Sequence, residues 1–330
     1  MIVDIYTHIM PPQMLESMER LGASSGLVNR MAGVRELHDL DGRFRAMDAF
    51  GDYRQIFSIP NPPLETITTP AQGRDLARIA NDSMADMVRR HPFRFPTFIA
   101  SLALHDVDSA LEELKRAIES LGARGIQIFT HVNGRPLDDP QFTPLFAAMA
   151  AYDLPIWLHP ARTAAMTDYS SEQQSRFEMW WCFGWPYETS VAMSRLALSG
   201  IFDRHPKLKI ITHHLGGMIP YFDKRIEGGM ALLGTRTQNE DYSGVLPGLK
   251  RPLIDYFHMF YADTALFGAS RGLSCGLDFF GPEHVVFATD APFGPVGSTL
   301  DGVANLNLDK TQLEAIHHHN TEKLINMRIV

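Results

Sequence analysis

One phrase recurs through this chain: a short apolar run that stops abruptly at a polar residue or a turn former. The runs are Met1 to Ile5 (MIVDI), Gln55 to Ile59 (QIFSI), Phe95 to Leu104, Gly125 to Phe129 (GIQIF), Leu154 to Leu158 (LPIWL), Leu208 to Thr212 (LKIIT), Met259 to Ala262 (MFYA) and His284 to Ala288 (HVVFA). Rich in Ile, Val and Phe and bounded by turn residues, they read as buried parallel strands. Amphipathic stretches lie between them. Arg74 to Arg90 puts Leu76, Ile79, Ala80, Met84, Met87 and Val88 on one face, and Asp108 to Leu121, Phe142 to Tyr152 and Glu188 to Phe202 behave alike. Strands alternating with helices imply a parallel sheet. Eight of them in 330 residues favour a distorted (β/α)8 barrel, one domain over residues 1–330, over an open doubly wound sheet. No GxGxxG follows the first run, which argues against a dinucleotide fold. Pro60 to Pro70 and Phe177 to Trp185 read as long loops, where a barrel keeps its chemistry.

Composition narrows the function. A net charge of −8 argues against a nucleic-acid groove. The two cysteines, Cys182 and Cys275, form no CxxC pair, so neither a disulfide scaffold nor a thiolate metal site is expected. No apolar run approaches the roughly 18 residues of a membrane span, and MIVDIYTHIM lacks the features of a secretion signal. The expectation is a soluble, cytoplasmic protein with no nucleic-acid or membrane partner.

The polar stops carry the chemistry. His8, His159, His214 and Asp290 each follow an apolar run, and in a barrel such positions converge on one face. Three imidazoles and a carboxylate are a competent shell for a divalent metal, with a group to spare for acid–base work. A lone histidine at one strand end would be structural; four groups at four ends are not so easily dismissed. His213 is expected to point to the opposite side of its strand, since neighbours alternate. His131 either lines the same face or caps a turn, and Asp263 is either part of the site or structural. The row His317, His318 and His319 reads as an exposed helix end before Asn320; the alternative is a metal-binding tract.

With these residues in view, the chain resembles the amidohydrolase superfamily, and within it the aminocarboxymuconate-semialdehyde decarboxylase-like branch. The resemblance rests on Asp4-Ile5-Tyr6-Thr7-His8, Trp157-Leu158-His159-Pro160, His214-Leu215-Gly216-Gly217 with Pro220, and Ala288-Thr289-Asp290-Ala291-Pro292-Phe293. Residues 200–210 resemble the branch's lead-in to its sixth strand, and Arg43-Phe44-Arg45-Ala46-Met47-Asp48 its first helix. It implies a distorted barrel, a relative that dimerises (hence an expected homodimer), and a divalent ion, zinc first and manganese as the alternative. It further implies His8, His159 and Asp290 as metal ligands, His214 and Asp290 as catalytic groups, and Arg43 as the grip on a substrate carboxylate, which the planar guanidinium fork suits. The alternative for Arg43 is a solvated helix-face charge.

One position departs from the family. Its HxH pair is here Tyr6-Thr7-His8, and a phenol with a pKa near 10 is a poor replacement ligand. Tyr6 is therefore expected to line the substrate pocket; the competing expectation is a site that works by acid and base alone. The activity implied is non-oxidative decarboxylation of a small aromatic or unsaturated carboxylic acid. Hydrolysis or hydration of a lactone, amide or conjugated acid is the alternative, and a barrel that binds ligand without turnover is the third reading.

Overall fold

The computed structural model describes residues 1–21, 26–237 and 239–330. Eight parallel strands close on themselves: β1 (Ile2–His8), β2 (Tyr53–Ser58), β3 (Ala100–Ser101), β4 (Ile126–Phe129), β5 (Pro155–His159), β6 (Lys209–Thr212), β7 (Tyr261–Asp263) and β8 (Val285–Val286). Strands β3 to β8 pair in order, and β1 pairs with β2. Two bridges complete the ring, Phe57 beside Phe98 and Thr7 beside Ala291. The Ile99 N–H donates to the Phe57 carbonyl at 2.9 Å, and the His8 N–H to that of Ala291 at 2.7 Å. The expected distorted (β/α)8 barrel is the observed architecture. The run from Phe95 to Leu104 yields the least strand, Ala100–Ser101, because Pro96 has no N–H for a ladder and Phe98 pairs only as a bridge.

Alternation sorts each strand into two faces. Ile126, Ile128, Ile156, Leu158 and Ile210 join the apolar layer shared with the helices. Val3, Ile5, Ile56, Ile99, Trp157, Ile211, Val286 and Ala288 instead fill the barrel interior, with Leu324, Ile325 and Ile329 of the C-terminal segment packed among them. Around the ring, the helix Pro70–Arg90 starts four residues ahead of the amphipathic stretch read from Arg74, because Pro70 takes the first turn and Thr69 forms a capping box with Gln72. Its buried residues include Leu76, Ala80, Met84 and Met87, while Ile79 and Val88 are half-buried.

The two long loops are more structured than expected. Pro60 to Pro70 contains the helical turn Leu64–Ile67, and Phe177 to Trp185 contains Met179–Cys182 before the helix Gly184–Leu198 begins. His131 takes the turn option: it opens a small hairpin, and its Nδ1 accepts the Gly134 N–H at 3.1 Å.

Candidate active site and metal centre

The inward apolar residues fix where the chemistry sits. Two positions after each comes the next inward side chain, and at the C-terminal ends of the strands these are polar: Ser58 after Ile56, His159 after Trp157, His213 after Ile211, Asp263 after Tyr261, and Asp290 after Ala288. Strand β1 reaches the same result through a bulge. Its register shifts between Asp4 and Thr7, so Tyr6 joins Val3 and Ile5 in the interior cluster and His8 follows above it. The sequence expectation for His213 is thus corrected. It shares the parity of Ile211, is 1% exposed, and sits at the centre of the group, its ring 5.2 Å from that of His159 and 4.6 Å from that of Tyr6. His214 reaches the site by another route, a left-handed backbone with φ 51° that turns its ring out over Trp185, 6.2 Å away. Asp290 is likewise left-handed, with φ 65°. His8, His159, His214 and Asp290 do converge, and His213 and Asp263 join them.

A hydrogen-bond chain determines which nitrogens are free. Gln127 Nε2 donates to the Ile59 carbonyl at 3.0 Å, so its Oε1 is the acceptor for the Tyr6 hydroxyl at 2.9 Å and the Ser58 hydroxyl at 2.6 Å. With its proton committed, Ser58 can only accept from His8 Nδ1, 3.2 Å away. His8 therefore carries its proton on Nδ1 and a bare lone pair on Nε2, and that atom lies 3.0 Å from Asp290 Oδ1. The same logic holds for its neighbours. His159 Nδ1 donates to the Pro160 carbonyl at 2.7 Å, and His213 Nδ1 to Asp263, leaving His213 Nε2 3.8 Å from the same Asp290 oxygen. His213 Nε2, His214 Nδ1 and Asp290 Oδ1 are all buried without a hydrogen-bond partner among the described residues, and one ligand atom from each lies within 4.8 Å of the others. Lone pairs facing one another at these distances need a proton or a cation between them. Imidazoles pinned at Nδ1 and aimed through Nε2 at a carboxylate fit a divalent ion.

Burial dominates the electrostatics. It holds His8 down at about 3, aided by the charge of Arg43, and His159 at about 3, aided by His8. His213 and His214 are held well below the ordinary imidazole range by burial and by the other histidines. Burial, then the charge of Asp263, pushes the Asp290 carboxyl well above its usual range, and burial lifts Asp263 to about 6. Neutral imidazoles are the ligating form, and a carboxyl that favours its proton can donate one.

The site opens into a cavity of about 400 Å³. His8, His159, His214 and Asp290 lie at its base, and Trp180, Trp181, Trp185, Phe267 and Phe293 wall it. Among the described residues, Arg30 is the cationic member of that lining. The aromatic stretch from Phe177 to Trp185 thus supplies an apolar wall. Neither Tyr6 nor Arg43 lines the cavity. Tyr6 lies beneath the histidines with its hydroxyl spent on Gln127, and burial drives its pKa well above the ordinary phenol value. Arg43 is 6% exposed, and its guanidinium donates to Gln55 Oε1, the His8 carbonyl and Thr7 Oγ1 at 2.6, 2.6 and 2.9 Å. It is neither a substrate grip nor a solvated charge in this geometry; it props the end of β1.

The profile of the amidohydrolase family matches residues 3–327. The chain belongs to the amidohydrolase family. This amidohydrolase is 31% identical over 300 residues to gamma-resorcylate decarboxylase from Polaromonas sp. (strain JS666 / ATCC BAA-500), covering 87% of each chain. It is 28% identical over 316 residues to 2-amino-3-carboxymuconate-6-semialdehyde decarboxylase from Dictyostelium discoideum, covering 91% of this chain and 84% of the relative. Its fold superposes with a TM-score of 0.80, at 27% identity and covering 98% and 96% of the two chains, on dihydroxybenzoic acid decarboxylase from Polaromonas sp. JS666, solved with bound manganese and the inhibitor 2-nitroresorcinol. The relatives bear out the family branch on which the sequence resemblance rests.

Proposed function

We propose that this amidohydrolase is a metal-dependent carboxy-lyase that removes carbon dioxide, without oxidation, from a small aromatic hydroxy acid. The observation that carries the reading is the set of Nδ1-pinned imidazoles facing one carboxyl group at the base of an aromatic-walled cavity. Decarboxylating relatives matched over most of their length support it, and a bound phenolic inhibitor in one of them supports the ring substrate.

His8, His159 and Asp290 would hold the divalent ion, with His213 and His214 within reach. When bound, the ion acts as a Lewis acid that neutralises and orients the substrate's oxygens. The chain's own residues do the rest. The tryptophan wall receives the ring face and excludes water. Asp290, at the base of the cavity, passes a proton from the substrate's side to the ring carbon bearing the carboxylate. The carbon–carboxylate bond then breaks, carbon dioxide leaves, and its bonding pair restores the aromatic ring. His214, also at the base of the cavity, shares that proton. The imidazole-rich donor set suits zinc, our first assignment, and the manganese-containing relative makes manganese the competing one.

No helix of the described residues is long and apolar enough to cross a membrane. We propose further that the protein is a cytoplasmic homodimer. Exposed Phe177, Phe183 and Tyr187 offer an apolar face for self-association, and sedimentation of the native chain checks it.

A substrate panel tests the function. Metal-loaded protein should release carbon dioxide from dihydroxybenzoates or related ring acids in direct turnover assays. Lactones that open with no carbon dioxide released from any ring acid would replace this reading with the hydrolytic one.

A further inference from the structure

The opposite end of the barrel holds a second group of donors that the decarboxylation chemistry does not use. After β8 the chain runs back beneath the barrel through Lys310–Glu314, the widened π-helical turn Ala315–His319, and Asn320–Leu324. This segment is anchored to the start of β8. Asn320 Nδ2 donates to the carbonyls of Pro282 and Val285, both at 2.8 Å, and the Phe287 N–H to that of Ile316 at 2.9 Å. Beyond it Leu324, Ile325 and Ile329 plug the interior.

The wide turn brings two consecutive histidines over one carboxylate. His318 Nδ1 lies 3.7 Å and His319 Nδ1 3.4 Å from Glu322 Oε2, the two rings are 3.9 Å apart, and one ligand atom from each residue lies within 4.8 Å of the others. His318 Nδ1 is buried without a hydrogen-bond partner among the described residues. Ligands at ~2.0–2.2 Å from a tetrahedral ion stand roughly 3.4 Å apart, close to the spacing already present. The other oxygen, Glu322 Oε1, accepts the Ile329 N–H at 2.8 Å, which fixes the carboxylate's orientation as outer-shell bonds do in metal sites. His319 is exposed, so an ion has a path in and a water can complete its shell. π-helical turns occur often at functional positions.

We propose that His318, His319 and Glu322 form a second divalent-cation site, for an ion of zinc type, at the base of the barrel and remote from the catalytic mouth. The ion ties the wide turn to the carboxylate that holds Ile329, and so fastens the C-terminal plug. Its role is structural, and it takes no part in the reaction.

The test uses the full chain, stripped by chelator and dialysed against zinc, with bound metal counted in wild type, in His319→Ala and in the double variant His318→Ala/His319→Ala. The expected result is one zinc equivalent fewer in the double variant, at least about tenfold weaker uptake of that equivalent in His319→Ala, and a smaller zinc-induced rise in thermal midpoint for both. Any ion at the catalytic mouth counts equally in all three proteins, so the difference reads the new site alone. His319→Ala changes only an exposed ring, which keeps the test open should the double variant fold poorly. Equal zinc uptake by wild type and His319→Ala, with equal thermal shifts, would overturn the proposal.

Discussion

At the scale of single residues, the site is a matter of which nitrogen bears the proton. Ser58, the Pro160 carbonyl and Asp263 each take an Nδ1–H and leave an Nε2 lone pair for the centre. His159→Ala and Asp290→Asn should therefore each lower turnover by at least about a hundredfold, the scale of losing a ligand or a proton donor. Steady-state assays showing near-wild-type rates in either would sink the assignment. A finer expectation follows for the orienting groups. Ser58→Ala and Asp263→Asn should each weaken metal affinity by about 10–100-fold while leaving the fold intact, since they release a ring rather than remove it. Metal titration with circular dichroism as the control separates that outcome from general unfolding. His8, His159, His214 and Asp290 were legible in the sequence because each ends an apolar run. His213 was not, although the signal existed: Trp157-x-His159 and Ile211-x-His213 have the same spacing. The pairing of neighbours suggests an in/out choice between His213 and His214, and the left-handed turn at His214 brings both rings to the site.

At the scale of elements, a bulge and one arginine set β1. The register shift between Asp4 and Thr7 puts Tyr6 and His8 on the inner face, and Arg43, from the helix Leu40–Asp48, clamps the strand end through the His8 carbonyl and Thr7. Removing a buried charged donor leaves its neutral acceptors unpaired, so Arg43→Ala should cost roughly 1–3 kcal/mol of stability. Its kinetic loss should fall on kcat, through a displaced His8. A pure rise in KM for a ring acid, with unchanged stability in denaturant titrations, would restore the substrate-grip role that the family resemblance implies. A bulge leaves no mark in the residue pattern, and nothing in Tyr6-Thr7-His8 says that the phenol lies under the histidines. The body of the helix Pro70–Arg90 was easier to read, from its apolar face after Arg74, whereas its capped start at Thr69 and the turn Leu64–Ile67 lie in the proline-rich stretch read as loop.

Across the whole molecule, eight apolar runs were enough to indicate a closed ring, since each strand needs only its neighbours. The chain's closing segment was less legible, because its histidine row resembles a solvated helix end. Stability should carry a signature of burial. Glu65 buries both carboxyl oxygens without a hydrogen-bond partner among the described residues, and burial raises its pKa from 4.5 to about 7. Between those values the folded protein keeps a proton that the unfolded chain releases, so this group's contribution falls as pH rises through the window and levels off above about 7. Glu65→Gln, neutral throughout, should gain on wild type between pH 4.5 and 8 by on the order of 3 kcal/mol. Denaturant titrations at the two pH values check this, and a constant difference would contradict it.

On the proposed function, one divalent ion held by His8, His159 and Asp290 is required to take carbon dioxide from a ring acid. Its most direct test is carbon dioxide release from a turned-over hydroxybenzoate, measured on one preparation before chelation, after chelation and after return of zinc or manganese. Release should vanish with the ion and come back with it, and Asp290→Asn should not recover. Full turnover by the chelated protein, confirmed metal-free, would contradict the account.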